Sequence, residues 1–320
     1  MRAKCIVRRK PSRQRNVSDG VHTNSMSKFS ATTAILAALA CAAGALYWAY
    51  GLGPSARVSR KSQPAAVSAM PAVLEKTAVS DPPATSKPAE RMEQPAPSEP
   101  ETPFRAGEVL EFAADVAKMS NVANLRLQIV ERRNFFGKNA WHLQAFARTE
   151  NPLRMVFELD DQFDSYSDAA TLSSLQYEMH LNERGEKQES IQRMTTTGTE
   201  SAASNATQTR VVPGTRDPLG LMQYLRTVDW GKSREVHGPV YDGHKLYDVR
   251  ASYNGVSQNI AVPAGTFSAS KIDLRVFEAG AELKDAHFTL YLAGNPSRTP
   301  VLLEAVMPFA TARVALVKMK

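Results

Sequence analysis

Cysteine is nearly missing from this chain. Cys5 and Cys41 are the two present in 320 residues, and both precede residue 53. No disulfide can form beyond that point, so a folded domain there must stand on its core alone. Nucleophilic signatures are also lacking. There is no Gly-x-Ser-x-Gly elbow, no Gly-rich phosphate loop and no thiol past residue 41, so neither nucleophilic catalysis nor nucleotide binding has a sequence basis. A charge surplus is missing where a binder of nucleic acid would need it. Of the net +7, residues 1–30 supply eight Lys or Arg against Asp19, and residues 54–104 are balanced at six each. That leaves 25 basic and 25 acidic residues in 105–320. Phosphate neutralisation needs clustered cations, and nucleic acid is therefore not expected as a partner.

Long apolar runs are scarce too, with one exception. Residues 31–52, ATTAILAALACAAGALYWAYGL, carry no charge and as a helix would span about 33 Å, close to a bilayer core. The basic flank before the run holds the N-terminus in the cytoplasm, and Tyr47, Trp48 and Tyr50 suit the membrane–water interface. The expectation is a single-pass inner-membrane anchor with the C-terminal bulk in the periplasm. Two other readings stay open: a cleaved signal segment, and lipidation of Cys41 after Ala38-Leu39-Ala40, a lipobox-like sequence with its Leu one place late. Residues 1–30 read as a disordered cytoplasmic tail. Residues 53–104 hold ten of nineteen prolines and read as an extended linker.

From residue 105 to 320 the pattern changes to period two, the mark of strands with one buried face. Leu125, Leu127 and Ile129 oppose Asn124, Arg126 and Gln128; Trp141, Leu143 and Ala145 oppose His142 and Gln144; Tyr177 and Met179 oppose Glu178 and His180. Further strands are expected at 208–212, 236–241, 245–253, 256–262, 266–277, 283–292, 300–307 and 311–318. Residues 195–209, rich in Ser and Thr, read as a loop. One helix is clear at 217–226, with Asp217 as N-cap, Pro218 in the first turn and an apolar stripe of Leu221, Leu225 and Val228. A second helical or irregular stretch is expected at 152–160. Short connections imply an antiparallel meander. The expected fold is mainly β: one large sheet curved into a partial barrel, covered by one or two helices.

Three constellations of titratable side chains bear on chemistry. Asp160, Asp161 and Asp164 read as a solvated acidic loop, since their spacing lacks the turn glycine of a calcium loop. His237, Asp242 and His244 are too few donors for zinc. Glu108, Glu111 and Asp115 form a carboxylate set of the kind any domain offers. No catalytic residue, metal site or cofactor is expected. Trp141, Phe157, Phe163, Tyr166, Tyr224 and Trp230 are the candidate ligand-binding residues, because a curved sheet with a covering helix can enclose an apolar pocket.

Four segments carry a resemblance: Gly107-Glu108-Val109-Leu110-Glu111-Phe112, Asp217-Pro218-Leu219 through Leu225-Arg226, Pro263-Ala264-Gly265-Thr266-Phe267, and Ser297-Arg298-Thr299-Pro300-Val301. In their order and spacing the domain resembles the bacterial family catalogued as domain of unknown function 3108. The resemblance implies an exported protein with a partial β-barrel, similar to envelope carriers of lipids or acyl chains, and assigns no catalytic residue. The expected function is a non-catalytic envelope protein whose β domain binds an apolar or amphipathic ligand, such as a lipid or acyl chain, or an envelope partner. The rival expectation is an envelope hydrolase acting on glycan or lipid.

Overall fold

Alternation of apolar and polar side chains builds nearly everything visible. The computed structural model describes residues 101–196, 206–284, 286–307 and 310–320. The expected tail, the apolar run with Cys41 and nearly all of the linker lie outside them, as do residues 197–205 of the expected loop. Among the described residues no helix is long and apolar enough to cross a membrane.

Fourteen strands follow one another: β1 (Val109–Val116), β2 (Met119–Phe135), β3 (Lys138–Thr149), β4 (Asp160–Asp168), β5 (Ser174–Glu183), β6 (Glu186–Thr195), β7 (Thr207–Arg210), β8 (Glu235–Tyr241), β9 (Leu246–Val262), β10 (Gly265–Glu278), β11 (Ala281–Glu282), β12 (His287–Ala293), β13 (Pro300–Val306) and β14 (Thr311–Met319). Among the described residues a single α-helix, α1 (Pro218–Thr227), stands between β7 and β8, and the second expected helical stretch is a 3-10 turn at Leu153–Met155.

All fourteen strands belong to one open sheet in the order β7-β6-β5-β4-β3-β2-β1-β14-β13-β12-β10-β9-β8, with β11 paired to β10. The first and last strands of the domain therefore pair in the sheet's interior, Ala113 opposite Ala315. Its two edges, β7 and β8, come from the middle of the chain. Pairs along this path are antiparallel as expected, except for β6 and β7, which run parallel. The helix thus lies in the connection between the two edges.

Residues 211–216 form a strap that draws those edges together. Val211 N–H donates to Thr195 O and Ser174 N–H to Thr215 O on one side; Arg216 N–H donates to Pro239 O and Tyr241 N–H to Arg216 O on the other. Gln192 Nε2 adds a bond to Gly243 O at 2.6 Å. Edge strands left bare invite pairing with other chains, and here Arg216 covers part of the β8 edge through its bonds with Pro239 and Tyr241.

Two sequence expectations need correction. The Asp160–Asp164 stretch is not a solvated loop but the start of β4, with Asp161 and Asp164 both 4 % exposed. Asp161 accepts a hydrogen bond from Asn182 N–H at 2.9 Å. Residues 245–253 and 256–262 are not two strands but parts of β9. The intervening Asn254-Gly255, a usual hairpin signal, forms an irregularity where Tyr253 pairs Ile272 and Ser257 pairs Ser270. Gly255 there has φ +87°, a conformation that glycine adopts without steric cost.

Candidate functional site

The helix is fastened to the sheet by buried charge at both ends. At its start Asp217, fully buried, accepts from Leu219 N–H and Gly220 N–H, both at 2.9 Å. It also accepts from Ser165 Oγ at 2.6 Å and from Ser174 Oγ. Burial pushes this carboxyl above its ordinary value, and the four hydrogen bonds oppose that push. The cap expected from sequence is therefore also the link to β4 and β5. Gly220 lets the helix approach this closely: a Cβ there would lie 2.9 Å from Ser167 Oγ and 3.0 Å from Leu172 O.

At the other end Arg226, 0 % exposed, donates to both oxygens of Glu108 at 2.6 and 3.0 Å. It also donates to Gln223 Oε1 at 2.8 Å and to Ser297 O at 2.8 and 3.2 Å. Its guanidinium lies over Phe104, 5.3 Å from the ring. Arg298 Nη1 donates to Arg226 O at 3.0 Å, so two arginines clamp one helix end. Three of the four segments that carry the family resemblance meet here: Glu108 from the first, Arg226 from the second, Ser297 and Arg298 from the last.

The six aromatic candidates are not gathered in one place. Trp141, Phe157, Phe163 and Trp230 are buried. Trp141 packs edge-on to Phe104 at 5.3 Å, Phe163 lies against Tyr177 at 6.5 Å and Trp230 meets Tyr253 at 6.4 Å. Phe157 sits beside the 3-10 turn under Arg184. Tyr224 is half-buried on α1 with Arg216 stacked 3.7 Å from its ring. Tyr166 belongs to the opposite face of the sheet. Between α1 and β8–β9, the space lined by Leu221, Leu225, Val240 and Val249 amounts to about 10 Å³, room for one water. A larger groove of about 330 Å³ opens beside the strap, lined by Lys138, Asp168, Thr171, Met194, Val211 and Thr215 among others.

The sheet face turned away from α1 carries a cluster that the sequence showed only as polar alternation. His142 Nε2 lies 2.6 Å from Asp164 Oδ1, and Tyr166 stacks on the His142 ring at 4.7 Å with 11° between planes. A carboxylate only accepts, so Nε2 of His142 carries the proton. Gln144 and Gln162 donate to Asp164 at 2.8 and 2.7 Å. Burial pushes the Asp164 carboxyl up, but the bonds from His142, Gln162 and Gln144 outweigh it and hold the group below its ordinary value. Tyr166 is pushed up to about 12 by burial, reinforced by the charges of Glu178 and Asp164. Register places Asp164 directly opposite Glu178, and Gln162 opposite His180. Among the described residues, Asp164, Glu178 and His180 are the one set of three acid or imidazole side chains whose ligand atoms lie within 4.8 Å of one another.

The other constellations disperse. His237 is exposed and 3.6 Å from Asp248, while Asp242 accepts from His244 N–H and Lys245 N–H to close a turn. Glu108 is bound to Arg226, and Asp115 accepts from Asn121 N–H at 2.8 Å. The signal for the His142–Asp164–Glu178–His180 cluster was present in the polar faces of β3, β4 and β5. Only strand register shows that these faces coincide.

Among curated proteins no sequence matches the chain significantly. Among solved structures, a β-barrel-like protein of domain of unknown function 1849 from Brucella abortus is 11 % identical, with a TM-score of 0.45, covering 68 % of this chain and 98 % of that one. A chain from Parabacteroides distasonis described as a candidate lipoprotein is 13 % identical over the same shares, with a TM-score of 0.33. A candidate exported protein with a YmcC-like fold from Bacteroides fragilis is 10 % identical, again over 68 % and 98 %, with a TM-score of 0.27. The model of the protein family of unknown function DUF3108 matches residues 111–317. With 207 of its 320 residues matched, this chain belongs to the DUF3108 family.

Proposed function

We propose that this protein is a non-catalytic envelope binding module: an inner-membrane anchor at residues 31–52, a Pro-rich linker, and a β domain that takes an amphipathic ligand, such as a lipid or acyl chain, or an envelope partner. The observation that carries this reading is the use made of the ionic groups on the α1 side. Asp217, Arg226 and Glu108 spend their hydrogen-bonding capacity on holding α1 across the sheet, so none of them is available to act on a substrate. The groove beside the strap mixes Met194, Leu175 and Val211 with Thr171, Thr215 and Lys138, a lining suited to an amphipathic molecule rather than to a bare acyl chain.

The experiment is native mass spectrometry of the full chain extracted from membranes. A discrete lipid-sized adduct on a chain that retains residues 31–52 supports the ligand form. Adduct-free protein in every preparation overturns it, and in-cell crosslinking then tests the partner form.

One observation favours the second reading, a hydrolase acting on glycan or lipid: the convergence of His142, Asp164, Glu178 and His180. Product release from glycan or phospholipid that disappears in Glu178→Gln would support it over the binding reading.

A further inference from the structure

We propose that Asp164, Glu178 and His180 form a binding site for one divalent transition-metal ion, with Zn²⁺ as the probe, on the sheet face opposite α1. The inference is independent of the binding reading above.

Three observations carry it. The first is electrostatic. Asp164 and Glu178 are directly opposed on neighbouring strands, an arrangement in which like charges are destabilising. Asp164 is nearly sealed from solvent. Their ion-pair partners are imidazoles, His142 for Asp164 and His180 for Glu178, which are charged only when protonated. A divalent cation between the two carboxylates would offset their repulsion wherever both are ionised and His180 is neutral.

The second is distance. Ligand bonds of about 2.0–2.2 Å place tetrahedral donors about 3.4 Å apart, and His180 Nε2 stands 3.5 Å from Glu178 Oε2.

The third is the set of groups behind the donors. His180 Nδ1 lies at ion-pair distance, 3.4 Å, from Glu189 Oε1, which puts a carboxylate behind the imidazole as in the carboxylate–histidine pairs of bound zinc. Gln176 Nε2 holds Glu178 Oε1 at 2.5 Å and leaves Oε2 toward His180. Gln162 holds Asp164 Oδ2, while His142 and Gln144 hold Oδ1. Asp164 and Glu178 are thus each held by hydrogen-bonded neighbours, and His180 has the Glu189 carboxylate behind it. One nitrogen and two oxygens suit Zn²⁺ or its neighbours better than Ca²⁺ or Mg²⁺, which favour all-oxygen shells. Three protein donors would leave a position for water.

The test is isothermal titration of the full chain in detergent with ZnCl₂, with CaCl₂ as control, alongside thermal unfolding with and without zinc. The expected result is a single saturable zinc site whose affinity falls at least tenfold in Glu178→Gln and in His180→Ala, together with loss of the zinc-induced rise in Tm. Glu189→Gln should weaken binding about tenfold while leaving unfolding without metal unchanged. It also serves if either ligand variant fails to fold. His237→Ala should leave the site intact. Zinc binding that is unchanged in the ligand variants and in Glu189→Gln overturns the proposal. So does the absence of saturable binding, or calcium binding of equal affinity.

Discussion

Arg226 and Glu108 are 118 residues apart in sequence, yet the guanidinium meets both carboxylate oxygens, at 2.6 and 3.0 Å. Arg226 is completely buried, and Glu108 precedes the first strand of the domain. The pair therefore closes a loop from the N-terminal edge of the fold to the end of α1. A buried ion pair is costly to assemble but more costly to half-remove, because the survivor is left as an unpaired charge.

Glu108→Gln is expected to destabilise the domain by about 3–5 kcal/mol, more than loss of an exposed ion pair such as Lys232–Asp229, for which about 0–1 kcal/mol is usual. Urea unfolding of Glu108→Gln and Asp229→Asn side by side checks this. Equal midpoints for both variants and the wild type would remove the clamp from the account.

Gly220 sits inside α1, where an exposed Gly→Ala change would ordinarily stabilise by about 1 kcal/mol. The opposite sign is expected here. A methyl group would press on Leu172 O, a backbone atom, as well as on Ser167 Oγ, and overpacking of this kind costs about 1–3 kcal/mol. A Gly220→Ala variant with raised Tm would show that helix and sheet can separate without loss.

Asp161 gives a pH dependence with a definite sign. Burial first, with the charges of Glu183 and Asp160 adding and the Asn182 N–H opposing, pushes its carboxyl up to about 7. Between about pH 4 and 7 the unfolded chain releases this proton while the folded chain keeps it, so stability falls as pH rises through that window. The Tm difference between pH 4.5 and pH 7.5 should therefore be smaller in Asp161→Asn than in the wild type. An unchanged difference would mean that Asp161 does not carry the effect.

Much of the fold was legible because strand alternation and helix capping are local properties. Leu125, Leu127 and Ile129, or Leu290 and Leu292, declare their buried side whatever lies opposite. Asp217-Pro218 declares a helix start through the orphan N–H groups it can satisfy. The stretch at β4 was not legible for the converse reason. Asp-Asp-Gln-Phe-Asp has poor strand propensity, and what makes it a strand is supplied from elsewhere: Asn182 for Asp161, His142 and Gln144 for Asp164, Asp217 for Ser165. The joining of the expected strands 245–253 and 256–262 into one was not legible either, since Asn254-Gly255 is equally compatible with an irregularity inside a long strand.

The sequence by itself determined the strands, the capped helix, the neutrality of the domain and the family resemblance, because periodicity, composition and short motifs are written along the chain. Only the tertiary structure decided that β1 pairs with β14, that Arg226 finds Glu108 and that Asp164, Glu178 and His180 share one patch. Those contacts depend on strand register. A shift of one residue would turn every side chain on a strand to the other face, and no local stretch of sequence specifies which partner it will meet.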